Sequence, residues 1–257
     1  MAVVDGSFGH PLKLEENASI PLAGGIAQHG YQCGMVWGAA LAAGAEAYRC
    51  FGAGPRAQTV AVMAAQRIVA AFRASNNAVN CLDITGIDKT SSNREMTTYF
   101  FLKGGVVKCF RMAARYAPVA FTEINTALAA EHVEPPAPPV SCAAVLAQKM
   151  GASELHTVMA SGLAGGIGLS GGGCGALGAA VWIIAMNSLE ESGDQLGFDE
   201  RFQDPRALEA IDRFLTCTGS EFECSRIVGR RFEDVGDHVS YLRDGGCSEI
   251  IDALAAV

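Results

Sequence analysis

The pentapeptide Leu22-Ala23-Gly24-Gly25-Ile26 returns as Leu163-Ala164-Gly165-Gly166-Ile167, and a cysteine follows each copy seven residues later, Cys33 and Cys174. Beyond each cysteine the chain runs into Gly- and Ala-rich apolar sequence. Two more landmarks hold nearly the same register. Cys81-Leu82-Asp83-Ile84-Thr85-Gly86 resembles Cys224-Ser225-Arg226-Ile227-Val228-Gly229, and Gly104-Gly105 before Cys109 resembles Gly245-Gly246 before Cys247. The copies lie 141, 143 and 138 residues apart. Repetition at such an interval means two copies of one structural unit. A repeated core needs only hydrophobic patterning, so repeated cysteines point to work for the thiols.

The bulk numbers set limits on that work. A chain of 257 residues, half of them apolar, can bury one large core or two modest ones. Its net charge of −8 argues against nucleic acid, whose partners carry basic stripes. It also argues against docking on anionic lipid. Met1 to Leu14 shows no basic stretch followed by an apolar one, which predicts a cytoplasmic protein without a secretory leader. In a reducing compartment nine cysteines favour metal binding or redox work over a disulfide framework. Cys50 and Cys217 have no counterpart in the other copy and are expected to be buried, as small hydrophobes. Thr157 to Leu189 carries no charge, but its glycines interrupt it, so a buried core helix is expected there rather than a membrane span.

Four prolines within 135–139 cannot continue a helix and favour a stiff connector. The expected division is a first repeat at 1–131, a linker at 132–139 and a second repeat at 140–257. Within each repeat the apolar period is helical. Helices are predicted over Arg56–Arg73, over Phe110–Ala130 with a kink near Pro118, and over Cys142–Met150. Others are predicted after a cap at Ser153, over Pro205–Leu215 and over Cys247–Val257. Thr97–Leu102 suits a strand or a helix equally. The fold class is therefore all-α, two homologous helical halves packed with an internal pseudo-twofold. Trp37 and Trp182 fall on core helices and are expected to pack; His156 and His238 are expected to serve as hydrogen-bonded structural residues.

The run from Gly165 to Gly173, which ends at Cys174, can be read in two ways. It can aim backbone N–H groups at an anion such as a metal–thiolate cluster, with Gly168, Gly172 and Gly173 as cofactor-binding positions. It can equally be a tight turn between packed helices. Neither Cys-x-x-Cys-His nor Gly-Lys-Ser/Thr occurs, so covalent haem and a phosphate-binding loop are not supported.

From 141 onward the chain resembles the redox-active family named for its cysteine pattern, C…GCAxxG…C…C. Cys142, Cys174 in Gly173-Cys174-Gly175-Ala176, Cys224 and Cys247 resemble its four cysteines in order. The first half keeps Cys33, Cys81 and Cys109; the interval between Cys142 and Gly165, counted back from Gly24, lands on Met1. The resemblance implies redox work, for which three chemistries suit the thiols. One is an iron–sulfur cluster on Cys142, Cys174, Cys224 and Cys247, for electron transfer to a partner protein or a coupled reduction. Zinc is an alternative, weakened by the lack of closely paired cysteines. The third is thiol–disulfide or sulfur-transfer chemistry without metal. Cys33, Cys81 and Cys109 would form a second site, with His29, His10 or Cys50 as candidates for its fourth ligand. One site shared across the two halves is a further arrangement, and pairing of two copies of the chain is left open.

Overall fold

The computed structural model describes residues 1–192 and 197–256, so the last residue of the predicted final helix lies outside the described residues. The described residues are helical, with no β-strand beyond two isolated bridges. The first half runs through α1 (Ala2–Phe8), α2 (Lys13–Ala18), α3 (Gly34–Phe51), α4 (Pro55–Asn76), α5 (Cys81–Thr85), α6 (Asn93–Thr97) and α7 (Gly105–Leu128). The second runs through α8 (Cys142–Lys149), α9 (Glu154–Ser161), α10 (Gly175–Ser192), α11 (Phe198–Phe202), α12 (Pro205–Thr218), α13 (Cys224–Ile227), α14 (Val235–Arg243) and α15 (Ser248–Ala255). Thr98–Leu102, ambiguous in sequence, is a single π-helical turn. Pro118 lies inside α7. Ser153 caps α9 through a hydrogen bond to the His156 N–H, and Pro205 opens α12. Among the described residues no helix is long and apolar enough to cross a membrane.

The repeated pentapeptide has a specific conformation. Residues 24–28 and 165–169 all hold positive φ, between +45° and +81°. Each stretch is therefore a left-handed turn, which L-residues adopt only at a cost. Gly25 and Gly166 are required there for a second reason. A Cβ on Gly25 would stand 2.3 Å from the Tyr31 backbone, and one on Gly166 would stand 2.5 Å from the Gly172 carbonyl oxygen. Ile26 and Ile167 close each turn into the core at 0 % exposure.

Small residues let the halves meet at backbone distance. A Cβ on Gly44 of α3 would sit 2.4 Å from Met159 Cα in α9, and Trp37 lies flat on Gly178 of α10. One buried apolar cluster runs through both halves and includes both tryptophans. His156 does the structural work expected of it. Its Nε2 lies 3.0 Å from Glu15 Oε1, while the Trp182 indole N–H donates to the Glu15 carbonyl at 3.1 Å.

This packing makes a comparison between two glycines informative. Gly44→Ala is expected to destabilise the protein by about 2–3 kcal/mol, the usual penalty for overpacking a tight core. Gly6→Ala, on a helix where the added Cβ meets nothing within 4 Å, should instead stabilise by about 0.5–1 kcal/mol. Urea unfolding of the two variants measures both, and equal shifts would contradict the backbone contact.

Candidate functional site

Short backbone ladders bring the cysteines together. Gly173 and Glu223 form an antiparallel bridge, flanked by the Cys174 N–H donating to Phe222 O at 2.8 Å and the Cys224 N–H donating to Gly172 O at 2.7 Å. The first half repeats the arrangement with Gln32 and Asn80. There the Cys33 N–H donates to Val79 O at 2.8 Å and the Cys81 N–H to Tyr31 O at 2.7 Å. In both halves the second and third cysteines of the pattern are thus clamped side by side by main chain. Cys142 opens α8, where the Ser141 hydroxyl accepts from the Ala144 N–H. Cys247 is the left-handed cap of α15, at φ +62°.

The thiols of each half lie within electrostatic reach of one another. Cys224 feels Cys174, Cys142 and Cys247, and Cys247 in turn feels Cys142 and Cys174. Cys33 feels Cys81 and Cys109. Each of these thiols thus feels other thiols of its own half. All nine cysteines are free. Burial pushes Cys33 and Cys174 up to about 12, and it pushes Cys224 and Cys247 higher still. These groups stay protonated thiols at neutral pH unless a cation is supplied.

Cys142 behaves differently. Burial alone would raise its thiol, but the His238 imidazole, with the N–H groups of Gly165 and Ala143, outweighs burial and brings it below the usual range. His238 is only 1 % exposed, and its Nδ1 lies 3.2 Å from the Val140 carbonyl oxygen. Burial would lower its pKa, but Cys142 holds it above the usual value. Each of the two thus favours the charged form of the other, while the His238 Nε2 is buried with no hydrogen-bond partner.

Two tyrosines complete the groups. Each second glycine of the repeated Gly-Gly lies against a ring, since a Cβ on Gly105 would be 2.3 Å from Tyr99 Cε1 and one on Gly246 would be 2.2 Å from Tyr241 Cε1. Burial first, and then the nearby thiols of Cys109 and Cys247 respectively, raise the two phenols, and the Tyr99 hydroxyl is buried without a hydrogen-bond partner. Sequence reasoning passed over both tyrosines, although each stands shortly before the Gly-Gly it packs on. It also left His238 as a lone histidine. Nothing in sequence pairs it with Cys142, 96 residues away.

The remaining sequence-derived positions fall as follows. Cys50 and Cys217 are exposed, not buried. Cys50 stands in the last turn of α3, where that buried helix leaves the core, and Cys217 stands in the last turn of α12, on its solvent side. His10 is exposed, and His29 lies against Lys89 and Phe222. Burial, with the Lys89 charge, pushes His29 down to about 4. Neither histidine is placed as a neighbour of the first-half thiols. Gly168 packs against the α4 backbone, and Gly172 and Gly173 pack against the Gln32 side chain. The amides near sulfur belong instead to Gly165 and Ala143 at Cys142, Ala176 and Leu177 at Cys174, and Met35 at Cys33. Among the described residues, no three His, Cys, Asp or Glu side chains converge closely enough to hold a single metal ion.

In the metal-free protein the Cys142–His238 pair should appear as one thiolate titrating below the usual thiol range. His238→Leu removes the imidazolium and leaves burial in control, so the thiol rises above the usual range. Ultraviolet thiolate absorbance against pH, with Cys142→Ser as the blank, reads this. An unchanged titration in His238→Leu would mean that the pair does not form.

A family model described as "Putative redox-active protein (C_GCAxxG_C_C)" matches residues 2–120 and matches again at 140–257. No curated protein and no solved structure gives a match.

Proposed function

Because the chain belongs to the C_GCAxxG_C_C family of redox-active proteins and carries the family's unit twice, we propose that its second half holds an iron–sulfur cluster on Cys142, Cys174, Cys224 and Cys247. The activity would be electron transfer, or a reduction coupled to it. The observation that carries this reading is the burial of several mutually adjacent thiols. Cys142, Cys174 and Cys224 are 4 %, 5 % and 7 % exposed. Thiol–disulfide exchange with another protein needs an attacking sulfur in the open. A cluster needs the reverse, soft sulfur donors screened from solvent and amides near sulfur.

The donor set fits a cluster better than zinc. Four sulfurs at ~2.3 Å around one ion stand roughly 3.8 Å apart. The thiols here interact electrostatically without converging on one ion, which suits a polynuclear occupant. When bound, a cluster accepts and returns single electrons. The chain's own contribution is to hold Cys142 as thiolate through His238, to aim amides at Cys142 and Cys174, and to exclude water with the core around α10. Loading also requires the high-pKa thiols Cys174, Cys224 and Cys247 to lose their protons, so cluster assembly releases protons and weakens as pH falls.

A second reading has one specific observation in its favour. The Cys142 thiolate beside His238 is the arrangement of an activated nucleophile, which suits metal-free thiol chemistry.

Iron and acid-labile sulfide analysis of anaerobically purified protein separates the two readings. The cluster reading expects both, in near-equal amounts, with a visible spectrum that Cys174→Ala abolishes or alters. Protein free of iron and sulfide, with Cys142 alkylated fastest, would establish the thiol reading instead.

A further inference from the structure

Between Glu95 and Glu123 the chain carries Lys103, Lys108, Arg111 and Arg115 and no acid. The net charge is −8 overall, so the rest of the chain without these four carries −12. They form a positive island on an acidic molecule. The fold gathers all four around one groove of about 700 Å³, between the end of α4 and the first half of α7. Among the described residues no acidic side chain lines it. Lys108, Arg111 and Arg115 follow one another at intervals of three and four, and so share one face of α7. Lys103 stands just before the helix.

These charges have no counter-ion within the described residues. Elsewhere on the surface Arg67 pairs with Glu123, Arg213 with Glu209 and Arg230 with Asp237. None of the four groove cations forms an ion pair there. Lys108 donates to the Ile84 carbonyl at 3.3 Å, and no such contact holds the heads of Lys103, Arg111 and Arg115. Nor does the end of α4 call for them, since Asn76 Nδ2 donates to the Phe72 carbonyl and the Asn77 N–H to the Arg73 carbonyl. Like charges gathered around a cleft repel one another, and the cleft walls focus their field. An anion seated between them removes the repulsion.

Size and spacing select the anion. From Lys108 to Arg115 the helix rises about 10 Å, so a single carboxylate or orthophosphate meets only part of the set. A chain of phosphates presents several charges over such a length, and guanidinium groups grip phosphate oxygens two at a time. The volume is that of a small-molecule site. A nucleic acid or an anionic bilayer would extend past the groove and meet the acidic remainder of the chain. Val107 and Met112 add apolar lining beside the cations.

We propose that this groove binds a small oligophosphate, either free or carried on a nucleoside whose ring rests on Val107 and Met112. No cysteine lines it, so the site stands apart from the cluster proposed above and does not depend on it.

Calorimetry with inorganic tripolyphosphate and with ATP tests this. Two triple variants lose equal charge. Lys103→Gln, Arg111→Gln, Arg115→Gln strips the groove, and Lys149→Gln, Arg226→Gln, Arg243→Gln strips other faces. All six sites are exposed, so the fold should persist, and circular dichroism checks it. At least one probe should bind wild type, about tenfold or more weaker in the groove variant and within about twofold of wild type in the control. Arg111→Gln alone should give a smaller loss in the same direction. ATP binding more tightly than tripolyphosphate assigns a nucleoside to the groove; tripolyphosphate binding as tightly or more so assigns the phosphate chain alone. Binding of neither probe, or an equal loss in both triple variants, overturns the proposal. It is equally overturned if a 20-nucleotide single strand binds wild type more tightly than either probe and is released by the groove variant, which would make the face a nucleic-acid surface.

Discussion

Five successive left-handed residues cost an L-chain about 1–2 kcal/mol for each that is not glycine, and this protein has two such turns. Glycine relieves the cost at two positions of the first turn and three of the second. The buried Ile26 and Ile167 must carry it. Much of the rest depends on these turns. Gly165, the first glycine of the second turn, directs its N–H at Cys142. Gly166 offers its carbonyl to the Gln32 side-chain amide at 2.9 Å, and the Gly173 N–H donates back to Gln32 Oε1 at 2.8 Å. Gln32 belongs to the first half, stands next to Cys33 and is 1 % exposed. One side chain therefore joins the backbone clamp of the first thiol group to that of the second. Strain held at a functional position by the surrounding packing is the expected arrangement.

The helices were legible because their signals are local. An apolar stripe from Val60 to Phe72 defines α4, Ser153 supplies a cap, and Pro205 opens α12. The repeated cysteines were legible because a duplicated chain prints its site twice. The glycine loops were only half legible. Repetition marked them as special, but glycine permits both an anion cradle and close packing, and its conformation alone does not say which. The partner decides, and the partners of Gly168, Gly172 and Gly173, namely α4 and Gln32, come from the other half of the chain. His238 was illegible for the same reason, since it acts on Cys142, 96 residues away. The two tyrosines are local to the Gly-Gly they pack on, but an aromatic ring in sequence does not say that it will lie against a glycine. Cysteine as a small hydrophobe favours burial, but Cys50 lies in the last turn of α3, beyond the part of the helix that the core covers, and Cys217 lies on the solvent side of α12.

The two halves are not equivalent, and their differences are related. Counted by the interval between Tyr99 and Tyr241, His238 corresponds to Met96; counted by the interval between Gly24 and Gly165, Cys142 corresponds to Met1. Both members of the thiolate–imidazolium pair are methionine in the first half. A buried ion pair stripped of one partner leaves an uncompensated charge, at a cost of about 3–5 kcal/mol, whereas replacing both partners by apolar side chains avoids that penalty. Exposure differs less. Cys33 and Cys174 are both buried, Cys109 and Cys247 are both half-buried, and only the pair Cys81 and Cys224 differs, the former half-buried and the latter buried. Two thiol groups, one with its first cysteine influenced by an imidazole and one without that cysteine, are clasped to each other through Gln32.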